Sequence, residues 1–226
     1  MTTQLIPVQT QTVLIDTRYQ RIKRLMDIAL TLLLLPFLGI TCLIIALLVK
    51  FTSRGPVIFC QMRVGRNGVV FNMYKFRSMY VNSDASIHVE AIKMYMNGHK
   101  LHHNASANLS YKLGADPRIT RIGRFLRKTS LDELPQFWNV LRNDMSLVGP
   151  RPPLPYEVEM YNAHDWLRLA GKPGLTGPWQ VYGRSRVTFQ EMIDLDIDYL
   201  HHQSILEDLK LVVLTVPVML WGRGGA

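Results

Sequence analysis

From Ile28 to Val49 the chain runs for 22 residues without a charged side chain, interrupted only by Thr31, Pro36, Gly39, Thr41 and Cys42. As a straight helix this run measures roughly 33 Å, about one hydrocarbon thickness of a bilayer. A signal peptide fits poorly: the run is too long, starts well inside the chain and has no small-residue cleavage site after it. The chain is therefore expected to meet a membrane here.

Crossing is a separate question. Arg18, Arg21, Lys23 and Arg24 precede the run, while Lys50, Arg54, Arg63 and Arg66 follow it. A crossing helix usually has its basic residues biased to the cytoplasmic side, and here neither side is favoured. Pro36 cannot donate to the Leu32 carbonyl, and its ring crowds that turn. Both facts suit a helix that bends at Pro36 and returns to the side it entered from. A single-pass helix with a proline kink is equally compatible with the residues, since membranes tolerate such prolines.

The net charge of +9 calls for an anionic partner: nucleic acid, lipid headgroups or a phosphorylated substrate. The apolar run argues against nucleic acid, whose binding domains need none. Cys42 and Cys60 have neither metal-ligand nor redox spacing, which fits a reducing compartment.

Downstream, Val57-Ile58-Phe59 and Val69-Val70-Phe71 flank Gly65-Arg66-Asn67-Gly68, a hairpin signal in which Asn-Gly supplies the positive-φ residues. The second strand should run into Lys75-Phe76-Arg77. A helix is expected over Ala85 to Met96, then a polar loop to Gly114 whose His99, His102 and His103 lack the further ligands of a metal site. Asp116-Pro117 reads as a helix start. Ile119, Ile122, Phe125 and Leu126 form its apolar side and Arg118, Arg121, Arg124 and Arg127 its basic one, as in an interfacial amphipathic helix. Thr188 with Glu191, and Ser204 with Glu207, are capping boxes that open two further helices. The last helix, Ile205 to Leu220, is strongly apolar and ends at Trp221 and Arg223, as an interfacial element does.

Ser130-Leu131-Asp132-Glu133 has two readings. In one, Ser130 caps a helix, Glu133 reaches back to it and Asp132 complements the dipole. In the other, Asp132 is a nucleophile toward phosphorus, forming an acyl phosphate that divides one transfer into two. That chemistry needs positive charge nearby. Mg²⁺ suits a carboxylate with diphosphate oxygens, and Lys75, Arg77, Arg127, Arg151 and Arg184 are the candidate phosphate ligands.

These motifs resemble the bacterial sugar transferase family, the monotopic phosphoglycosyl transferases. The resemblance rests on G-P-V-I-F-C-Q at Gly55, K-F-R-S-M at Lys75, K-T-S-L-D-E-L-P-Q at Lys128, N-D-M-S-L-V-G-P-R-P at Asn143 and K-P-G-L-T-G-P-W-Q-V at Lys172. It covers the chain from about Arg21 onward. Pro178 and the long 82–114 stretch depart from the family pattern without touching the carboxylates. The polar residues 1–16 are expected to form a poorly ordered tail, and the resemblance implies a mostly helical α+β fold: a re-entrant helix over 17–52 broken at Pro36, and a catalytic domain over 53–226 at the cytoplasmic face of the bacterial inner membrane. It implies the minimal catalytic unit, without the additional N-terminal membrane helices of larger members. It also implies transfer of a hexose 1-phosphate from a UDP-sugar to undecaprenyl phosphate. Asp132 would be nucleophile and Mg²⁺ ligand, and Glu133 its partner.

Two other readings compete. A membrane-anchored basic protein binding nucleic acid or anionic lipid leaves the carboxylate pair without a purpose. Asp194-Leu195-Asp196 is a D-x-D string of the kind metal-dependent glycosyltransferases use, but on a helix its side chains point roughly 200° apart. The sugar and the oligomeric state are not set by the sequence.

Overall fold

The computed structural model describes residues 16–81, 86–96, 116–183 and 187–220. The expected tail up to residue 15, the three histidines, Arg184, Trp221 and Arg223 lie outside the described residues.

The apolar run is the centre of one long helix, α1 (Thr17–Thr52), which Asp16 caps by accepting from the Arg18 N–H. Pro36 lies inside this helix, which is continuous and not divided into two. Among the described residues it is the one helix long and apolar enough to cross a membrane.

Both flanks of α1 are part of the folded domain. Near its start, Lys23 pairs with Asp208 at 2.7 Å, Tyr19 donates to Asp208 at 2.8 Å, and Asp27 accepts from the Leu147 N–H at 3.0 Å. Near its end, Ile45 and Val49 join Phe76, Leu126 and Leu134 in a hydrophobic cluster. Thr31 is still buried, but the residues just after it stand clear. Leu32, Leu33, Leu34, Leu35, Pro36 and Phe37 are all exposed, and six consecutive residues make more than one turn, so no face is covered.

The hairpin forms as its turn chemistry dictates. Strands β1 (Ile58–Val64) and β2 (Val70–Phe76) pair antiparallel from Ile58↔Phe76 to Val64↔Val70. Asn67 and Gly68 carry φ of 55° and 79° in the connection. The strands are longer than the β-prone runs suggest, because ladder pairing carries Gln61, Asn72 and Tyr74 along.

Beyond α2 (Ser86–Met96), the next helix begins later than Asp116-Pro117 suggests. The Asp116 carboxylate captures the Arg118 N–H at 3.0 Å and the Arg118 guanidinium at 2.7 Å, making a local turn. Ile119 then bridges to Met79, and Thr120 caps α3 (Arg121–Thr129) by accepting from Gly123 at 2.9 Å. The expected basic face accordingly loses Arg118. Gly123 is required by close approach: a Cβ there would lie 2.0 Å from the Ser78 carbonyl oxygen.

Helix α4 (Gln136–Leu141) leads to β3 (Ser146–Val148), which pairs in parallel with β4 (Gly174–Thr176). This second sheet ties the two Gly-Pro motifs together. The Gly149 N–H donates to Thr176 and the Gly174 N–H to Pro150, both at 2.9 Å, and a Cβ on Gly149 would come 2.3 Å from the Lys172 carbonyl oxygen. Short α5 (Pro155–Val158) precedes α6 (Phe189–His202), opened by the complete Thr188–Glu191 capping box, and α7 (Ile205–Leu220). At α7 half of the expected box forms: Ser204 accepts from the Glu207 N–H, while the Glu207 carboxylate turns to Lys210.

Candidate active site

The Asp-Glu pair is placed by a chain reversal. Helix α3 ends at Ser130, which adopts left-handed φ/ψ of 57° and 17° and donates its N–H to the Arg127 and Leu126 carbonyls. A single 3-10 turn, Leu131–Glu133, follows, and Pro135 leads into α4. Ser130 makes no side-chain cap and Glu133 does not reach back to it, so the capping-box reading of this segment is wrong. A left-handed residue cannot serve as N-cap in the usual extended geometry.

The Glu133 carboxylate points instead to Lys75 Nζ at 2.8 Å, with Arg151 at 4.0 Å from the same oxygen. Lys75 comes from the end of β2 and Arg151 from the Gly-Pro-Arg-Pro loop, so three motifs meet at one carboxylate. Burial opposes ionisation of Glu133, but Lys75, Arg151 and Arg63 outweigh it and hold its pKa at about 2. Asp132 is also buried, and no side chain among the described residues hydrogen-bonds to it. Burial, and then the charge of Glu133, push its pKa up, while Lys75 and Arg127 partly counter them. The two adjacent acids are therefore driven apart in basicity. Lys75 itself is shifted down by burial, against the pull of Glu133.

A cleft of about 200 Å³ opens at Glu133, lined by Arg63, Lys75, Arg151, Gln136 and Gln180 among others. Three cations against one bonded carboxylate leave its lining net positive. Gln136 is buried, and its Nε2 has no hydrogen-bond partner among the described residues. One helical turn later, Asn139 accepts from Tyr74 N–H at 3.1 Å and donates to the Asn72 carbonyl at 2.7 Å, clamping α4 to β2 beside Lys75.

Of the expected phosphate ligands, Lys75 and Arg151 reach the cleft, and Arg127 acts on Asp132 from the last turn of α3. Arg77 is used elsewhere. Its guanidinium donates to the Ser53 carbonyl at 2.7 Å, to Ser53 Oγ at 2.9 Å and to the Pro56 carbonyl, closing the C-terminal end of α1. Arg63, Gln136 and Gln180 line the cleft although the sequence does not single them out; the one signal for Gln136 and Gln180 is their place inside the quoted motifs. The D-x-D string is excluded by geometry: Asp196 is buried against Arg168, while Asp194 meets His164 at 2.8 Å on the exposed side of α6.

Among the described residues no three His, Cys, Asp or Glu side chains gather into a metal cage. Mg²⁺ needs none: one or two carboxylates with substrate phosphates and water suffice. The pair fits that requirement, with Asp132 the member not taken by Lys75.

The profile of the bacterial sugar transferase family matches residues 18–222. The chain is 47% identical over 203 residues to the galactosyl transferase CpsE of Streptococcus agalactiae serotype III, covering 89% of this chain and 43% of that protein. It is 42% identical over 206 residues to the undecaprenyl-phosphate galactose phosphotransferase of Salmonella typhimurium, covering 91% and 41%. It is 38% identical over 202 residues to the exopolysaccharide production protein ExoY of Sinorhizobium fredii, covering 89% and 87%. The chain thus spans about four tenths of the first two and most of the third. The matched stretch includes every residue of the cleft, and the chain belongs to the bacterial sugar transferase family.

Proposed function

We propose that this protein transfers a hexose 1-phosphate from a UDP-sugar to undecaprenyl phosphate and releases UMP, beginning the assembly of an exopolysaccharide, capsule or O-antigen unit. Relatives named for transfer from UDP-glucose and UDP-galactose support the donor class. The observation that carries the reading is the divergence of two neighbouring carboxylates. Glu133 is locked as an anion by Lys75 and Arg151, whereas Asp132 is buried, more basic and not engaged by a side chain.

In the first step an Asp132 oxygen attacks the β-phosphorus, the bond from that phosphorus to the bridging oxygen breaks, and UMP leaves with the bonding electrons. The product is an acyl phosphate that joins the Asp132 carboxyl to the hexose phosphate. In the second step an oxygen of undecaprenyl phosphate attacks the same phosphorus and expels the Asp132 carboxylate. Lys75, Arg63 and Arg151 hold the phosphate oxygens, and Glu133 keeps the first and last of these cations in place. Asp132 would hold Mg²⁺, which supplies further charge neutralisation on the diphosphate.

The enzyme is placed at the cytoplasmic face of the bacterial inner membrane, with α1 entering and leaving on that side. Supporting this, both flanks of α1 pack on one domain while the stretch around Pro36 is uncovered on every face.

The test is incubation of purified protein with a UDP-hexose and Mg²⁺ without acceptor, followed by mass spectrometry. A hexose-phosphate adduct on Asp132 is expected, and Asp132→Asn should lose several orders of magnitude in UMP release while remaining folded. Turnover without any adduct would point to direct transfer in a ternary complex. Near-normal turnover by the Asn variant would remove Asp132 from the mechanism.

A further inference from the structure

The loop that carries Arg151 into the cleft is Pro150-Arg151-Pro152-Pro153, and three of its four residues have no backbone N–H. Such a segment cannot fix itself through its own donors, so its shape depends on which groups take its carbonyls. All four are taken. The Pro150 carbonyl accepts from the Gly174 N–H at 2.9 Å and the Pro153 carbonyl from the Val64 N–H at 3.0 Å. Between them, the Pro152 carbonyl accepts from Arg63 Nη1 at 3.0 Å and the Arg151 carbonyl from Arg168 Nη2 at 3.2 Å.

Arg168 differs from the other three donors. Val64 and Gly174 act through the backbone of β1 and β4, and Arg63 lines the cleft itself. Arg168 comes from the 3-10 stretch Asp165–Ala170, is 2% exposed and has no place in the cleft lining. Its guanidinium is fixed from behind: Nη1 donates to the Tyr161 hydroxyl at 2.8 Å, and Nη2 pairs with the fully buried Asp196 of α6. A buried ion pair adds little net stability over apolar side chains of similar volume. What this one supplies is direction. A planar fork held by Asp196 and Tyr161 presents its remaining reach to one point, the carbonyl of the residue whose own guanidinium stands 4.0 Å from Glu133. Asp196, the second acid of the D-x-D string, thus acts toward the site without touching it.

We infer that Arg168, held by Asp196, is a positioning residue for donor binding: it fixes the Arg151 backbone so that the Arg151 guanidinium meets the phosphate oxygens in the cleft. This rests on Arg151 being a phosphate ligand, as proposed above. The proline-rich loop supplies stiffness, and the buried pair supplies its alignment.

The experiment is a double-mutant cycle read by equilibrium binding of UDP to the full chain in detergent, in wild type, Arg151→Met, Arg168→Lys and the two combined. Lysine keeps a charge opposite Asp196 but has no fork with which to hold the Arg151 carbonyl as well. Arg151→Met should weaken UDP binding about tenfold or more, as loss of a charge-assisted contact does, and Arg168→Lys about fivefold or more. With methionine at 151, Arg168→Lys should cost less than about twofold further, since no guanidinium is left to misplace. A merely structural role makes the two losses multiply, which overturns the inference. Arg168→Lys with wild-type affinity overturns it too. Arg168→Met combined with Asp196→Leu keeps the volume and removes both charges, so it should melt close to wild type and still bind UDP as weakly as Arg168→Lys. Wild-type affinity in that variant overturns the inference, as does unfolding of both variants, which would make the pair a condition of the fold and not of the loop. No UDP binding by wild type, or unchanged binding by Arg151→Met, would strike the proposed donor site itself and the inference with it.

Discussion

Replacing Lys75 by methionine keeps most of the side-chain volume and removes the charge on which Glu133 depends. The Glu133 pKa lies at about 2, against an ordinary value of 4.5. Its ionised form is therefore favoured in the folded state. This contribution is fully present above about pH 4.5 and is lost as pH falls toward 2, and its size, at 1.36 kcal/mol per pH unit, is about 3 kcal/mol. That is an upper figure for the pair, because burial shifts Lys75 downward and its charge costs stability at neutral pH. In Lys75→Met, Glu133 keeps Arg151 at 4.0 Å and Arg63, but faces the same burial. The variant should lose about 2–3 kcal/mol at pH 7, the order expected for breaking a largely buried pair. As pH falls below about 4.5 the gap should narrow, since the Glu133 contribution of the wild type is lost on the way down to its folded pKa of about 2. Unfolding in detergent, followed by circular dichroism from pH 7 to 2.5, reads both effects. A constant offset between the two proteins across that range would refute the reasoning, because it would mean that Lys75 acts through packing alone.

Pro36→Ala restores an amide donor at the middle of α1 and removes the ring that crowds the Leu32 turn; cysteine-accessibility labelling near Thr10 and Asn67 should then shift from one side of the membrane to both. Unchanged labelling with full activity would show that this proline does not set the topology. Arg77→Met should free the end of α1 from the hairpin by removing its donors to Ser53 and Pro56, costing about 2 kcal/mol or more with UMP affinity retained. A selective loss of UMP binding would return Arg77 to the phosphate site.

What the sequence made legible was local. Asn67-Gly68 specifies its turn by backbone chemistry alone, and Thr188 with Glu191 specifies a cap within four residues. The failures share a cause: a side chain took a partner that local patterns rank lower. Asp116 bonded its own neighbour Arg118 and delayed α3, and Ser130 adopted a left-handed conformation that no residue-type preference signals for serine. Pairing of β3 with β4 joins three-residue strands across a connection that includes α5, and the strands are too short for any alternation to show. At the site, motif membership brought Lys75 and Arg151 forward correctly, but it also promoted Arg77, which stands two residues from Lys75 and faces α1. Gln136 went unnoticed because a buried amide has no signature until its surroundings are known.

The Lys23–Asp208 pair has a bearing on how this protein can be cut. Asp208 is fully buried and also receives the hydroxyls of Tyr19 and Tyr199, so two of its three partners come from α1. Were α1 cut away, that carboxylate would be left in the interior beside a single tyrosine, and Leu147 would lose the acceptor Asp27 provides. The anchor is thus a structural member of the domain it anchors. Proteolysis near Phe51 would not shed a folded domain but dismantle one.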